Sequence, residues 1–263
     1  MATLDGHPAA TDDLMQLALT SYAHFTSMRV ENGTVRGLSL HMERLVRDCR
    51  IVWGTDLDTA DVRERVRKAL AGQDDPCVVR VTVYDPAVQM GRPADASQPH
   101  ILVTVRPAGA MPPPPLRAMS VPYERDLAAV KHCGLFGALH ARRTAQLAGY
   151  DDALFIDRDG HVSEGGTWNV GFIDGNGTVV WPQGPVLPGV TMALLQQHAD
   201  GLEHRTASRV TLNQARGMTA AFATNTSIGV RPLAAIDETL LPADHPVLRQ
   251  LREAYLAIPG EHL

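Results

Sequence analysis

The chain has 263 residues, 44% of them hydrophobic and 20% charged, a composition that excludes fibrous and disordered architectures and leaves ample material for a buried core. Its 24 basic and 29 acidic side chains give a formal net charge of −5, so the electropositive field that nucleic acid requires is missing and nucleic acid is not an expected partner. Three cysteines, Cys49, Cys77 and Cys133, form no CxxC pair and cannot complete a disulfide framework, which fits a reducing compartment.

The stretch from Met1 to Thr20 carries Asp5, Asp12 and Asp13 and lacks a basic opening and a continuous apolar run, so it does not read as a secretory signal. No run approaches the length of a membrane span, and a cytoplasmic location is the expectation. Tyr22 to Val30 reads as an extended segment, Glu31-Asn32-Gly33 as a turn and Val35 to Leu38 as its partner, which predicts a hairpin. From Ser39 a helix follows, with Leu38, Met42, Leu45, Cys49 and Val52 on one stripe and Gly54 as its stop. A second helix spans Asp58 to Leu70. The β-branched run CVVRVTVY after Pro76 and HILVTVR from His100 to Arg106 read as strands, joined by a polar surface connection from Asp85 to Pro99.

Pro107 to Pro115 ends in four consecutive prolines, the signature of an extended linker. The boundaries drawn from it are a small N-terminal domain over 1–107, a linker over 108–115 and a larger C-terminal domain over 116–263. In the latter, LRAMSVPYE predicts a strand and Cys133 to Ala148 a helix stopped by Gly149, with Ala138, Ala141, Ala145 and Ala148 on one face. Asp157 to Gly160 and Asp174 to Gly177 are hairpin turns.

Four features could carry chemistry. Lys131 lies between the apolar LAAV and the alanine-rich helix, where desolvation would free its amine as a nucleophile. Glu164 ends a strand and precedes Gly165, Gly166 and Thr167, small residues that let a flat ligand approach. Gly189, Val190 and Thr191 open a helix after Pro188, a natural phosphate seat. Thr224, Asn225, Thr226 and Ser227 close a strand and could cradle phosphate. Taken singly, each has a plainer reading: a surface lysine, an exposed strand-end acid, a helix cap without ligand, a decorated turn. The pattern lacks HExxH, G-x-S-x-G, Walker and dinucleotide fingerprints, and no metal site is expected. A calcium loop around Asp159 fails because Phe155 stands at a ligand position.

The order of these features, VKHCGLFGALHARRTAQLAGYDDALFIDRDGHVSEGGTWNVGFI followed by VLPGVT, resembles the class IV aminotransferases, which are pyridoxal 5′-phosphate enzymes of fold type IV and include branched-chain and D-amino acid aminotransferases and aminodeoxychorismate lyase. The resemblance runs from about Met28 to Asp237. It implies a two-domain α/β (α+β) fold, with a small N-terminal domain, a larger C-terminal domain with a barrel-like β core, and the cofactor between them. It also implies that Lys131 is the Schiff-base lysine and proton shuttle, and that Glu164 pairs with the ring nitrogen. Arg44 of HMERL, Val190, Thr191 and Thr226 would hold the phosphate, with Asn169 completing the cofactor site. The implied activity is ping-pong transfer of an amino group from an amino acid or amine to a 2-keto acid. A lyase, suggested by the pair Lys131-His132, and an idle cofactor binder are the alternatives. Homodimers are the family habit, and they make Tyr22 and His24 candidates for a neighbour's substrate mouth, although a core histidine or surface tyrosine explains either. YAHFTSM in place of a glycine-rich opening, Trp168, Met192 and Phe136 depart from the family pattern and leave the substrate unassigned.

Overall fold

A computed structural model describes residues 2–207 and 209–263. The chain forms two compact units, one of Met1–Gly109, Val130–Gly134 and Pro259–Leu263, the other of Ala110–Ala129 and Leu135–Ile258. The main division therefore falls inside the proline-rich stretch. Two short returns, 130–134 and 259–263, also belong to the first unit, and no shift in composition marks them.

The first unit opens with β1 (Ala2–Leu4), β2 (His7–Pro8) and α1 (Thr11–Thr20), then β3 (His24–Val30), β4 (Thr34–Val35), α2 (Leu38–Trp53), α3 (Thr59–Leu70), β5 (Cys77–Tyr84) and β6 (His100–Pro107). Its five-stranded sheet has the order β2-β1-β6-β5-β3, antiparallel throughout. The helical stripe buries as its spacing requires: Leu38, Met42, Leu45 and Cys49 are withdrawn from solvent, with Val79, Val81 and Val83 of β5 in the same core. Gly54 closes α2 in the left-handed conformation at φ 68°, which a side chain would resist. Asp58 caps α3 by accepting the Ala60 N–H at 2.8 Å.

The hairpin is shorter than the sequence suggests. Its second strand stops at Val35, because Gly37 turns left-handed at φ 69° and Leu38 already belongs to α2. The opening elements carry little apolar signal, and α1 buries no residue completely.

The second unit comprises β7 (Leu116–Pro122), α4 (Phe136–Leu147), β8 (Asp152–Ile156), β9 (Val162–Gly165), β10 (Asn169–Ile173), β11 (Val179–Pro182), α5 (Val190–His198), β12 (His204–Ala207), α6 (Leu212–Arg216), β13 (Ala220–Asn225), β14 (Gly229–Ile236), β15 (Thr239–Leu240) and α7 (Pro246–Ala257). The sheet order is β12-β11-β10-β13-β14-β7-β8-β9, with β15 beside β14. The sheet curls, since Gly165 at the end of β9 donates its N–H to Trp168 O just before β10 at 2.8 Å. Phe172, Val180, Ala221, Ala223 and Leu233 fill its interior. Ala138, Ala141 and Ala145 press α4 onto Ala153 and Phe155, whereas Ala148 lies outside the helix and is exposed. The turn Asp157–Gly160 uses its aspartate internally: Asp157 Oδ1 accepts the N–H groups of Asp159 at 2.9 Å and His161 at 2.7 Å. Back in the first unit, β16 (Glu261–His262) pairs antiparallel with β4.

The helix expected from Cys133 begins only at Phe136. Cys133 instead lies in a bend tied to β3, its N–H donating to Ala23 O at 2.8 Å. Among the described residues no helix is long and apolar enough to cross a membrane.

Candidate active site

Lys131 belongs to the first unit, on an excursion stitched to β3. Phe25 donates its N–H to Lys131 O at 2.8 Å, and His24 bridges His132 across the same register. The Lys131 N–H goes to Asp48 Oδ2 of α2 at 2.9 Å, across 83 positions of sequence. Lys131 is partly buried, and its Nζ stands 4.9 Å from the centre of the Phe25 ring. The same ring carries the Arg80 guanidinium at 3.6 Å. Arg80 makes no salt bridge to an acid among the described residues, donating instead to Thr82 Oγ1 and Cys133 Sγ, each at 3.1 Å.

Arg44 lies one helical turn from His41 and is buried. Its Nη2 donates to Thr26 Oγ1 and to His41 Nδ1, the latter at 3.1 Å, while Thr26 Oγ1 and His41 Nδ1 are 2.7 Å apart. A guanidinium can only donate, so Nδ1 accepts from Arg44 and the imidazole is neutral. The titration of His41 agrees: burial, then the positive charges of Arg44 and Lys131, hold it well below the usual histidine range. Burial lowers Arg44 itself to about 10, against the opposing pull of Asp48. Arg44 Nε is buried and has no hydrogen-bond partner among the described residues, which is an invitation to an anion. His24 is wholly buried with both ring nitrogens likewise unpartnered, and burial drops it to about 4 although Asp48 pulls the other way. It is therefore a core histidine of its own unit. Tyr22 is 44% exposed and meets Trp53 edge-on.

In the second unit, Glu164 is not an exposed strand-end acid. Arg125 Nε donates to its Oε1 at 2.8 Å, with side-chain exposures of 8% and 7%, and Leu187 donates its N–H to Oε2 at 3.2 Å. Asn169 grips the other side of the same residue, Nδ2 donating to Leu187 O at 2.8 Å. Two strand residues five apart thus clamp the loop that leads into α5. Gly189 belongs to this clamp, because a Cβ there would stand 1.9 Å from Asn169 Oδ1. Across the sheet, Asn169 is registered opposite Thr224. Thr224 and Thr191, the second residue of α5, are both buried, and neither hydroxyl has a hydrogen-bond partner among the described residues. The orphaned Thr191 hydroxyl, in the first turn of α5, suits a phosphate. Val190 opens α5 and is buried, while Thr226 is partly buried in the turn between β13 and β14. Asn225 builds that turn, Oδ1 accepting the N–H groups of Ser227 at 2.8 Å and Ile228 at 3.0 Å.

Trp168 packs its indole onto Gly165 and donates Nε1–H to Asp152 Oδ2 at 2.8 Å, and Arg142 holds that carboxylate by two further bonds. The structure thus gathers Glu164, Asn169, Val190, Thr191 and Thr226 in one unit, and Lys131 with Arg44 in the other. Sequence reading missed Asp48, Arg80 and Arg125, whose partners lie 39 or more positions away in the cases of Arg125 and Asp48. Only their presence beside apolar runs hints at them.

A family model described as amino-transferase class IV matches residues 23–236, and the chain belongs to that family. Probable branched-chain-amino-acid aminotransferases are similar to it in sequence. That of Rickettsia bellii is 31% identical over 123 residues, 45% of this chain and 42% of that protein. That of Rickettsia conorii is 29% identical over 129 residues, 47% and 44% respectively. The chain thus matches less than half the length of these curated relatives. Among solved structures, the branched-chain aminotransferase of Thermoproteus uzoniensis with norvaline superposes with a TM-score of 0.87 at 22% identity, over 97% of this chain and 93% of that one. A hypothetical aminotransferase from Mycobacterium tuberculosis gives 0.84 at 18%, over 98% of both. A putative 4-amino-4-deoxychorismate lyase from Legionella pneumophila gives 0.82 at 22%, over 93% of both. The fold is that of the fold type IV aminotransferases.

Proposed function

We propose that the chain is a pyridoxal 5′-phosphate-dependent aminotransferase that passes an amino group from an amino acid or amine to a 2-keto acid in a ping-pong cycle. The observation that carries this reading is in the second unit: a buried, ion-paired Glu164 bound to Leu187, a buried Thr191 hydroxyl at the start of α5 and a buried Thr224 hydroxyl opposite Asn169, neither hydroxyl with a partner among the described residues. Those groups fit the ring nitrogen and the phosphate of such a cofactor. When bound, the cofactor supplies an aldehyde and an electron sink for the substrate Cα.

Glu164, fixed by Arg125, would keep the ring nitrogen of a bound cofactor charged. Val190 and Thr191 offer the positive end of α5 to phosphate, with Thr226 and Arg44 as further phosphate ligands and Asn169 bracing the loop. Lys131 would hold the cofactor through Nζ and, once released, would take up and return the substrate Cα proton as base and then acid. Arg80, a guanidinium with no salt bridge to an acid among the described residues, is our candidate for the substrate carboxylate. The working form in this reading is a cytoplasmic homodimer.

The test is to load the full chain with pyridoxal 5′-phosphate, trap with borohydride and map the modified peptide, then add amino donors and follow the spectrum. Modification at Lys131 and conversion to the pyridoxamine form support the reading. Modification elsewhere, or release of pyruvate from aminodeoxychorismate without a keto acid, overturns it in favour of an idle binder or a lyase respectively.

A further inference from the structure

The segment 130–134 is five residues long, has no helix of its own, and is flanked on both sides by chain that belongs to the other unit. Whatever fixes Lys131 must therefore come from outside the segment. β3 supplies part of the hold, through Phe25 N–H to Lys131 O and Cys133 N–H to Ala23 O, both at 2.8 Å. These bonds secure the carbonyl of Lys131 and the amide two residues later. They leave the Lys131 N–H, and Asp48 takes it.

Asp48 is wholly buried, a costly place for a carboxylate. Its two oxygens are divided: Oδ2 accepts the Lys131 N–H at 2.9 Å, while Oδ1 accepts Nε and Nη2 of Arg47 at 2.9 and 2.7 Å. Both guanidinium bonds go to Oδ1, which leaves Oδ2 to the Lys131 N–H. Asp48 also stands four residues after Arg44, on the same face of α2. One rigid helix thereby positions both the buried guanidinium and the Lys131 backbone.

We infer that Asp48 is a positioning residue for Lys131: by anchoring its backbone N–H to α2, it confines the arc through which Nζ can reach. The inference rests on the proposed role of Lys131. A lysine side chain has four rotatable bonds, so a displaced Cα would scatter Nζ over a wide volume, and a misplacement of about 1 Å costs about 100-fold in rate.

The experiment compares the full chain with Asp48→Asn, Asp48→Leu and Lys131→Ala. It reads hydrogen exchange at the Lys131 amide before any cofactor is added, the rate at which pyridoxal 5′-phosphate becomes trapped on Lys131 by borohydride, and kcat and KM with one donor. Asp48→Leu is expected to speed exchange at that amide about 10-fold and to slow trapping and kcat about 100-fold, with KM little changed. Asp48→Asn, which keeps an acceptor for the same N–H, restores most of each loss. Should Asp48→Leu not fold, Asp48→Ala replaces it. Unchanged amide protection and trapping in the apolar variant, or equal losses in the Asn and apolar variants, overturn the inference. Failure of the underlying reading looks different: Lys131→Ala would trap cofactor at the wild-type rate whatever the exchange data say.

Discussion

Arg125 and Glu164 form a buried ion pair, Nε to Oε1 at 2.8 Å, on a loop and a strand end that are 39 positions apart. Arg125 also donates to Ala128 O, so the pair ties the loop after β7 to the end of β9. Removing one partner of such a pair strands the other charge away from water. Arg125→Leu is therefore expected to lower unfolding free energy by about 3–5 kcal/mol, and Arg125→Leu/Glu164→Leu by clearly less. Urea denaturation of the three proteins without cofactor checks this. A single variant as stable as wild type would show that the pair is not a buried one in solution.

The hydroxyls of Thr191 and Thr224 lead to an expectation of opposite sign for stability and binding. A buried hydroxyl without a partner is a cost to the folded chain, so Thr→Val at either site leaves the cofactor-free protein as stable as before or slightly more so. If the hydroxyls hold phosphate, each change weakens binding of pyridoxal 5′-phosphate about 10-fold. Thermal unfolding without cofactor and a fluorescence titration with it separate the two effects. Loss of stability with unchanged affinity would remove both residues from the phosphate site.

Much of this site can be read in the chain because its parts obey local rules. The stripe Leu38, Met42, Leu45, Cys49 needs a helix to bury it, and VLPGVT announces a helix start with free N–H groups. What is hidden depends on contacts between distant segments. Nothing in PYERDLAAV says that Arg125 will meet an acid beyond a whole helix and strand. Nothing around Cys133 shows that its N–H will pair with Ala23 O of a distant strand, and the helix there starts three residues later than its composition suggests. The opening elements stay silent for another reason: β1 and β2 are too short to show alternation, and α1 has no fully buried face.

Acid should loosen the first unit before most carboxylates titrate. His24 sits near 4 because burial opposes its charge, and His41 is lowered further by burial and by Arg44 and Lys131. The unfolded chain has these groups near 6.5. Between pH about 6.5 and 4 the unfolded state thus binds more protons than the folded one, so stability rises with pH across that window and falls on acidification. His24 alone is expected to account for roughly 3 kcal/mol at most. Urea midpoints at pH 7 and pH 5 check this. His24→Leu should flatten the difference, and a variant with the wild-type pH dependence would mean that His24 is already solvated or paired.

Trp168 and Gly165 are coupled by packing. A Cβ on Gly165 would fall 2.1 Å from the indole of Trp168, whose own position is set by its bond to Asp152. Gly165→Ala is therefore an overpacking change beside Glu164, expected to cost about 1–3 kcal/mol. Trp168→Leu empties space and loses the Asp152 bond, at about 3–5 kcal/mol. Because the atoms nearest the alanine methyl belong to the indole, the double variant should be more stable than the sum of the two losses predicts, by about 1 kcal/mol or more. Urea unfolding of the four proteins measures that coupling directly. Strict additivity would mean that the indole does not lie on Gly165.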